Sequence, residues 1–212
     1  MTTILLTGFE PFADDPRNPS GEAVREVAAR WGGPATLVTD ILPVAFDAAG
    51  ERIRTLIAGC EPDVVIATGL AGRRTQVAPE RVAINLRDAG IPDNDRDQPV
   101  DLPSIEGGPA AHFSTLPVKA IAERIRDEGI PSAVSHSAGT FVCNHVMYVA
   151  LHEAARAPGM RAGFVHVPWS HETAPEGSPS LPSAAIVRAL ELAIRTALEQ
   201  DGDIAGSAGA LH

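Results

Sequence analysis

Short apolar runs alternate along this chain with stretches in which apolar residues recur every three or four positions, the pattern of strands alternating with amphipathic helices. Strands are expected at residues 3–7, 36–41, 63–68, 81–86, 132–136 and 161–167. Several are nearly unbroken Val, Ile, Leu and Ala, as strands covered on both faces must be. Between them, Val24, Val27, Ala28 and Trp31 form a helical stripe after Asn18-Pro19, a cap followed by a first-turn proline, with Gly32 as the stop. Ala49, Ile53, Leu56 and Ile57 form a second stripe, opened by Asp47 and ended near Gly59. Val118, Ile121, Ala122 and Ile125 form a third, closed by Gly129. A fourth helix runs from about Cys143 to Arg156, with Val146, Val149 and Ala150 facing inward. The last carries Ile186, Leu190, Ile194 and Leu198 on one face and Glu191 four residues before Arg195 on the other.

The expected fold is therefore α/β: a single-domain three-layer sandwich over residues 1–200, with a mostly parallel twisted sheet and helices on both faces. Residues 87–115 show no period and are rich in Pro, Gly and Asp, which reads as a functional loop or as a hairpin the pattern conceals. Residues 201–212 read as a flexible tail.

Composition narrows the function. Seventeen Lys and Arg stand against 27 Asp and Glu, a net charge of −10, which argues against a sequence-independent grip on nucleic acid or an anionic membrane surface. No apolar run approaches the roughly 20 residues of a spanning helix. The opening Met1 to Gly8 lacks a basic leader, and two cysteines, Cys60 and Cys143, make no disulfide framework, so a cytoplasmic protein is expected.

Several familiar signals fail. Gly69-Leu70-Ala71-Gly72 follows a strand, where a phosphate turn would sit, but lacks the spacing of a dinucleotide fingerprint and the Gly-Lys-Ser/Thr of a P-loop. A nucleotide-binding or phosphorylase-like enzyme using this turn with Arg73 and Arg74 is the alternative it leaves. Asp93, Asp95 and Asp97 alternate like the start of a calcium loop, but Gln98 and Ser104 stand where its Gly and Glu should be, so a solvated acidic loop is expected. No Gly-x-Ser-x-Gly elbow exists, and His and Cys are not clustered at metal-ligand spacing. Neither a metal nor an organic cofactor is expected.

The informative segment is Ser135-His136-Ser137-Ala138-Gly139-Thr140-Phe141-Val142-Cys143-Asn144-His145. A strand end, a glycine turn and a helix start bring Cys143 to the carboxyl edge of the sheet, where α/β folds bind ligands. There, first-turn N–H groups and the positive helix end favour a thiolate and can hold an oxyanion. A small buried hydrophobe is the competing fate of such a cysteine, and from position alone the two balance. Cys60, at the opposite edge, reads as inert. A cysteine nucleophile needs an imidazole. His145, two residues on, points roughly 200° away, and His152 lies about 13 Å along the helix axis. His212 is in the tail, His171 reads as surface, and His112 in the long loop stays possible. His136 and His166 both end strands at the right edge, and spacing does not choose between them. Glu80, before the strand expected from Arg81, reads locally as a solvated carboxylate.

Motifs add what spacing leaves open. Gly69 to Gly72, then Pro79-Glu80-Arg81-Val82-Ala83-Ile84-Asn85, and Ser137 to His145 together resemble pyroglutamyl peptidase type I, a cysteine peptidase family. Thr7-Gly8-Phe9-Glu10-Pro11-Phe12, Asn18-Pro19-Ser20, Ile91-Pro92-Asp93-Asn94, His112 to Pro117 and Phe164 to Pro168 match in the same order, so the likeness covers all but the tail. The resemblance implies Cys143 as nucleophile, His166 as base and then acid, and Glu80 as the residue orienting His166. It implies a pocket for the five-membered lactam walled by Phe9, Phe12, Ile91, Phe141 and Val142, with Asn18 as a hydrogen-bonding contact. Core packing for the aromatic and valine side chains and helix capping for Asn18 are the plainer roles these residues could fill. Peptides with an N-terminal pyroglutamate are the implied substrates, and homodimers or homotetramers the implied assemblies. The chain departs from the family where Leu70 replaces a usual Gln, Gly90 a usual Arg, Val44 a usual Thr and Ala78 a usual Ser or Thr. These departures bear on affinity and rate, and a catalytically weakened binding protein is the second alternative.

Overall fold

The computed structural model describes residues 2–209. Its centre is a five-stranded sheet in the order β2-β1-β3-β7-β4, formed by Thr3–Phe9 (β1), Thr36–Leu42 (β2), Val64–Leu70 (β3), Ala78–Pro79 (β4) and Arg161–Val167 (β7). All pairings are parallel except the short β4, which runs antiparallel to β7. Successive side chains of a strand face opposite ways, so each strand feeds two cores. Ile4, Leu6, Val64 and Ile66 pack under Pro19–Arg30 (α1), Val118–Asp127 (α3) and Ser183–Glu199 (α5). Leu5, Val65 and Ala67 pack under Phe46–Cys60 (α2) and Val142–Ala154 (α4). The result is the three-layer α/β sandwich expected from the alternating pattern. No helix among the described residues is long and apolar enough to cross a membrane.

Local chemistry sets several helix ends where the sequence places them. Asn18 caps α1, its Oδ1 accepting the Ser20 N–H at 3.1 Å, and Pro19 follows in the first turn. Gly129, at φ +76°, closes α3 in the left-handed region. The first helix ends at Arg30, two residues before the expected Gly32, with Trp31 extended. Asp93 departs from the solvated acidic loop expected of it. It is buried, its Oδ2 accepts the Phe46 N–H at the start of α2 (2.8 Å), and its Oδ1 accepts the N–H groups of Asp95 and Asp97 (2.9 and 2.8 Å). Ala45, at the N-cap of α2, has no side-chain oxygen, and a carboxylate from a distant loop serves instead.

Two expected strands are corrected. The run at 81–86 shortens to Val82–Ile84 (β5) and leaves the main sheet, pairing antiparallel with Ala111–Phe113 (β6) inside the aperiodic segment. Part of that segment is thus half of a ribbon. Asn144 of α4 binds the flanking backbone, accepting from Ile84 N and donating to Ile84 O and Leu86 O. The run at 132–136 makes only isolated parallel bridges, Val77 with Ser132 and Glu80 with Ser135. Its neighbour there is β4, whose Pro79 has no N–H to give to a ladder. A further small pair joins Trp169–Ser170 (β8) to Ser180–Leu181 (β9).

The segment after α5 runs back along α3. Asp203 accepts the N–H groups of Lys119 and Ala120, and the Lys119 ammonium donates to the carbonyls of Ile204 and Gly206. His212 lies outside the described residues.

His145 is buried between α2 and α4, its Nε2 lying where a Cβ on Gly50 would fall. Burial, aided by Arg87 and Arg54 and opposed by Asp47, lowers it from 6.5 to about 4. In the unfolded chain it titrates near pH ~6.5, so as the pH falls from there towards 4 the unfolded state takes up the proton first and stability is lost. The contribution present at neutral pH is about 3 kcal/mol. Urea unfolding between pH 7 and pH 4 is expected to show a steeper loss in the parent than in His145→Gln; equal slopes would contradict this assignment.

Candidate active site

The carboxyl ends of β1, β3 and β7 deliver Phe9, Gly69, Leu70 and His166 to one edge of the sheet, and the start of α4 arrives above them. That start is built by the turn through Gly139, whose φ of +79° only glycine adopts without strain. Phe141 is the N-cap of α4 and offers no side-chain acceptor, so the first-turn N–H groups around Cys143 keep their open, positive end.

The thiol seats on a gap in the sheet. A Cβ built on Gly69 would stand 2.7 Å from Cys143 Sγ and 2.9 Å from Phe164 Cζ, so the sulfur occupies the space a side chain at residue 69 would need. The partner of Gly69 on the neighbouring strand is His166. His166 in turn bonds Glu80 through Nδ1 to Oε1 at 2.6 Å, and Glu80 has no exposed surface. This corrects the local expectation of a solvated carboxylate: β4 lies along β7 and carries Glu80 under the imidazole. Arg74 bonds the same oxygen at 2.7 Å. His136, the other candidate left by spacing, is exposed and faces the carbonyl of Ala208. His112 pairs with His152 at 3.3 Å on the far part of α4, and His171 bonds Ser180 at the surface.

The charges on these groups follow from burial. Burial, reinforced by Glu80 and eased by Arg74, pushes the Cys143 thiol up to about 12. Burial likewise lowers His166, outweighing the hydrogen bond and charge of Glu80 that raise it. Burial thus opposes the ionisation of the thiol that the helix end favours. Burial would raise Glu80, but the hydrogen bond and charge of His166 and then the charge of Arg74 leave it lowered. His166 and the Arg74 guanidinium thus act on the same carboxylate oxygen.

Beside the sulfur lies a cavity of about 90 Å³ lined by Phe9, Phe12, Asn18, Val44, Leu70, Phe141, Val142, Cys143 and Trp169, with Asp15 and Arg17 also in its lining. Phe12 and Phe46 both pack on the Phe141 ring, with centroids 5.3 and 5.2 Å away. Five of the six expected wall and contact residues meet here. Ile91 does not: it is 54% exposed and outside the lining. Trp169, Val44 and Leu70 complete the wall, and of these only the last two drew attention in the sequence. Trp169 gave no local signal, although Gly72 marks its place, since a Cβ there would sit 2.6 Å from the indole nitrogen. The Gly69–Gly72 turn thus clears room for a sulfur and an indole, and Arg74 is engaged on Glu80, which leaves no phosphate cradle. A side chain at Gly90 would point into open space. Among the described residues no group of three or more His, Cys, Asp and Glu could hold a metal.

A profile described as pyroglutamyl peptidase matches residues 2–200. The chain is 49% identical to the pyrrolidone-carboxylate peptidase of Pectobacterium carotovorum subsp. carotovorum and 47% identical to that of Clavibacter michiganensis subsp. michiganensis, in each case over 100% of both chains. A crystal structure of Bacillus amyloliquefaciens pyroglutamyl peptidase I superposes with a TM-score of 0.92 at 45% identity, covering 96% of this chain and 100% of that one. Pyrrolidone carboxyl peptidase from Thermococcus litoralis superposes with a TM-score of 0.90 at 37% identity, covering 94% of each.

Proposed function

Since this chain belongs to the pyroglutamyl peptidase family, we propose that Cys143, His166 and Glu80 carry its reaction, the removal of an N-terminal pyroglutamyl residue from a peptide. The enzyme is a cysteine-type exopeptidase. The observation that carries the assignment of residues is the junction at Gly69, where the Cys143 sulfur lies over the strand partner of His166, itself bonded to buried Glu80.

As Sγ attacks the carbonyl joining pyroglutamate to the next residue, the imidazole of His166 takes the thiol proton. Glu80 holds the Nδ1 proton, fixing the tautomer in which Nε2 is the base and stabilising the imidazolium that forms. First-turn N–H groups of α4 hold the tetrahedral oxyanion. The imidazolium protonates the departing amine, leaving a pyroglutamyl thioester. Water, giving a proton to His166, then attacks the thioester, and the sulfur regains that proton as pyroglutamate leaves.

Specificity comes from the cavity. A lactam ring carries no ammonium, so it enters an apolar enclosure in which a charged N-terminus would lose its hydration. Asn18 Oδ1 is taken by Ser20 N and Oγ, and Nδ2 donates once to Glu10 O, which leaves one N–H for the lactam carbonyl. Leu70 and Val44 add apolar wall beside the aromatic side chains, so ring recognition rests on shape together with this donor. We further propose that the enzyme works in the reducing cytoplasm, where a free thiol survives, and that copies of the chain associate. Ile84 and Phe113 supply apolar surface on one face of the β5–β6 ribbon for that association.

Incubation with a pyroglutamyl fluorogenic amide is expected to release free pyroglutamate, and rapid acid quenching to trap a pyroglutamyl adduct on the peptide containing Cys143. An adduct on another residue, or no turnover, would overturn the assignment.

A further inference from the structure

A single guanidinium is bonded to both halves of the site. Arg74, four residues beyond the end of β3, donates from Nη1 to Glu80 Oε1 at 2.7 Å, the oxygen that also accepts from His166 Nδ1 at 2.6 Å. From Nη2 it donates to the carbonyl of Ser137 at 3.0 Å. Glu80 belongs to the half of the site that carries the imidazole. Ser137 belongs to the other half: it opens the turn through Gly139 that delivers Phe141 and Cys143 to the start of α4, and its own Oγ accepts the Gly139 N–H at 3.2 Å. The backbone tie across this gap is one isolated bridge, Arg81 N–H to Ser135 O at 2.8 Å and Ser135 N–H to Pro79 O at 2.9 Å, which ends two residues short of Ser137.

We propose that Arg74 is a positioning residue for the hydrolysis, clamping Glu80 and the Ser137–Phe141 turn into one unit so that base and nucleophile hold their alignment. The proposal rests on the assignment of Cys143, His166 and Glu80 above. Two physical requirements meet in this residue. A buried carboxylate needs a compensating charge, and the guanidinium carries one permanently. Alignment of thiol and base within a fraction of an ångström needs the two backbone segments tied together. An arginine meets both because its planar fork donates in two directions at once, which an ammonium cannot do with the same geometry.

The charge also acts on the reacting groups. Glu80 raises His166 and Arg74 lowers it, while Cys143, facing them from α4, is raised by Glu80 and lowered by Arg74. Removing the guanidinium takes away a repulsion on the imidazolium and an attraction on the thiolate, so both groups titrate at higher pH.

The test uses the full-length enzyme, a pyroglutamyl fluorogenic amide, and three variants: Arg74→Met, Arg74→Lys and Cys143→Ala. Arg74→Met is expected to lower kcat/KM by about tenfold or more and to move the whole bell of kcat/KM against pH upward. Arg74→Lys keeps the charge and loses the bridge, so its bell stays in place while kcat falls with little change in KM. A part played in stability alone would leave the bell unmoved in both. If Arg74→Met fails to fold, Arg74→Lys decides: wild-type kcat overturns the proposal, and lowered kcat with an unmoved bell supports it. An Arg74→Met enzyme within about twofold of wild type, with an unmoved bell and an inactive Cys143→Ala, overturns the proposal and leaves the triad standing. An active Cys143→Ala brings down both.

Discussion

Cys143→Ala is expected to keep the fold and lose at least about 10⁴-fold in kcat on a pyroglutamyl fluorogenic amide. The covalent route disappears with the sulfur, and nothing nearby replaces it. Ser137 is exposed and bonded into its own turn, and Cys60 sits at the far end of α2, its thiol raised by burial. The imidazole then has no thiol to deprotonate. It can still orient a water, but that direct attack forfeits the thioester intermediate. The lactam cavity keeps every other wall, so binding of pyroglutamate should persist, and the loss belongs in kcat. Removing one sulfur from a seat against Gly69 costs about 1 kcal/mol of packing, which a thermal melt separates from the catalytic loss. Cys60→Ala should leave turnover unchanged. More than about one per cent residual kcat in Cys143→Ala would place the nucleophile elsewhere.

What the sequence disclosed and what it concealed divide along physical lines. Buried parallel strands must be apolar on both faces, so β1, β3 and β7 are legible as unbroken runs. The Asn18-Pro19 cap is chemistry within three residues, and so is the turn that sets Cys143 at a helix start. The partner of that cysteine was not local. His136 and His166 both end apolar runs, and spacing alone does not choose between them. Strand register sets His166 beside Gly69, while His136 lies against the carbonyl of Ala208. Glu80 looked solvated because nothing near it in sequence foretells that β4 folds against β7. The run at 81–86 alternates as a ribbon does and as a half-buried strand does, and only its partner at 111–113 tells which. Asp93 reads as an acidic loop residue until α2, whose cap position holds an alanine, supplies the N–H it binds. The thiolate favoured at a helix end is opposed by burial, a property of the packed site and not of the segment.

Gly69→Ala is expected to lower kcat about a hundredfold while leaving KM within a few-fold, the second-largest loss after the nucleophile itself. The new Cβ would fall 2.7 Å from Cys143 Sγ and 2.9 Å from Phe164 Cζ, closer than packed atoms approach. One of the two must give way. Phe164 is fully buried in the core beneath α4 and its ring lies tilted against that of His166, centroids 4.7 Å apart, so any shift of the phenyl ring also disturbs the imidazole. The thiol has the easier escape, a rotation about its own Cα–Cβ bond, and that carries the sulfur off the strand partner of His166. Either route breaks the alignment on which proton transfer depends, while Phe9, Phe12 and Phe141 keep the lactam wall in place. Overpacking of this kind costs about 1–3 kcal/mol, so a modest drop in Tm should accompany the kinetic loss. Iodoacetamide reacts with a displaced thiol on access and ionisation alone, so alkylation of Cys143 in Gly69→Ala should continue while peptidase turnover falls. A Gly69→Ala enzyme with wild-type kcat would show that the sulfur does not work from the seat this glycine provides.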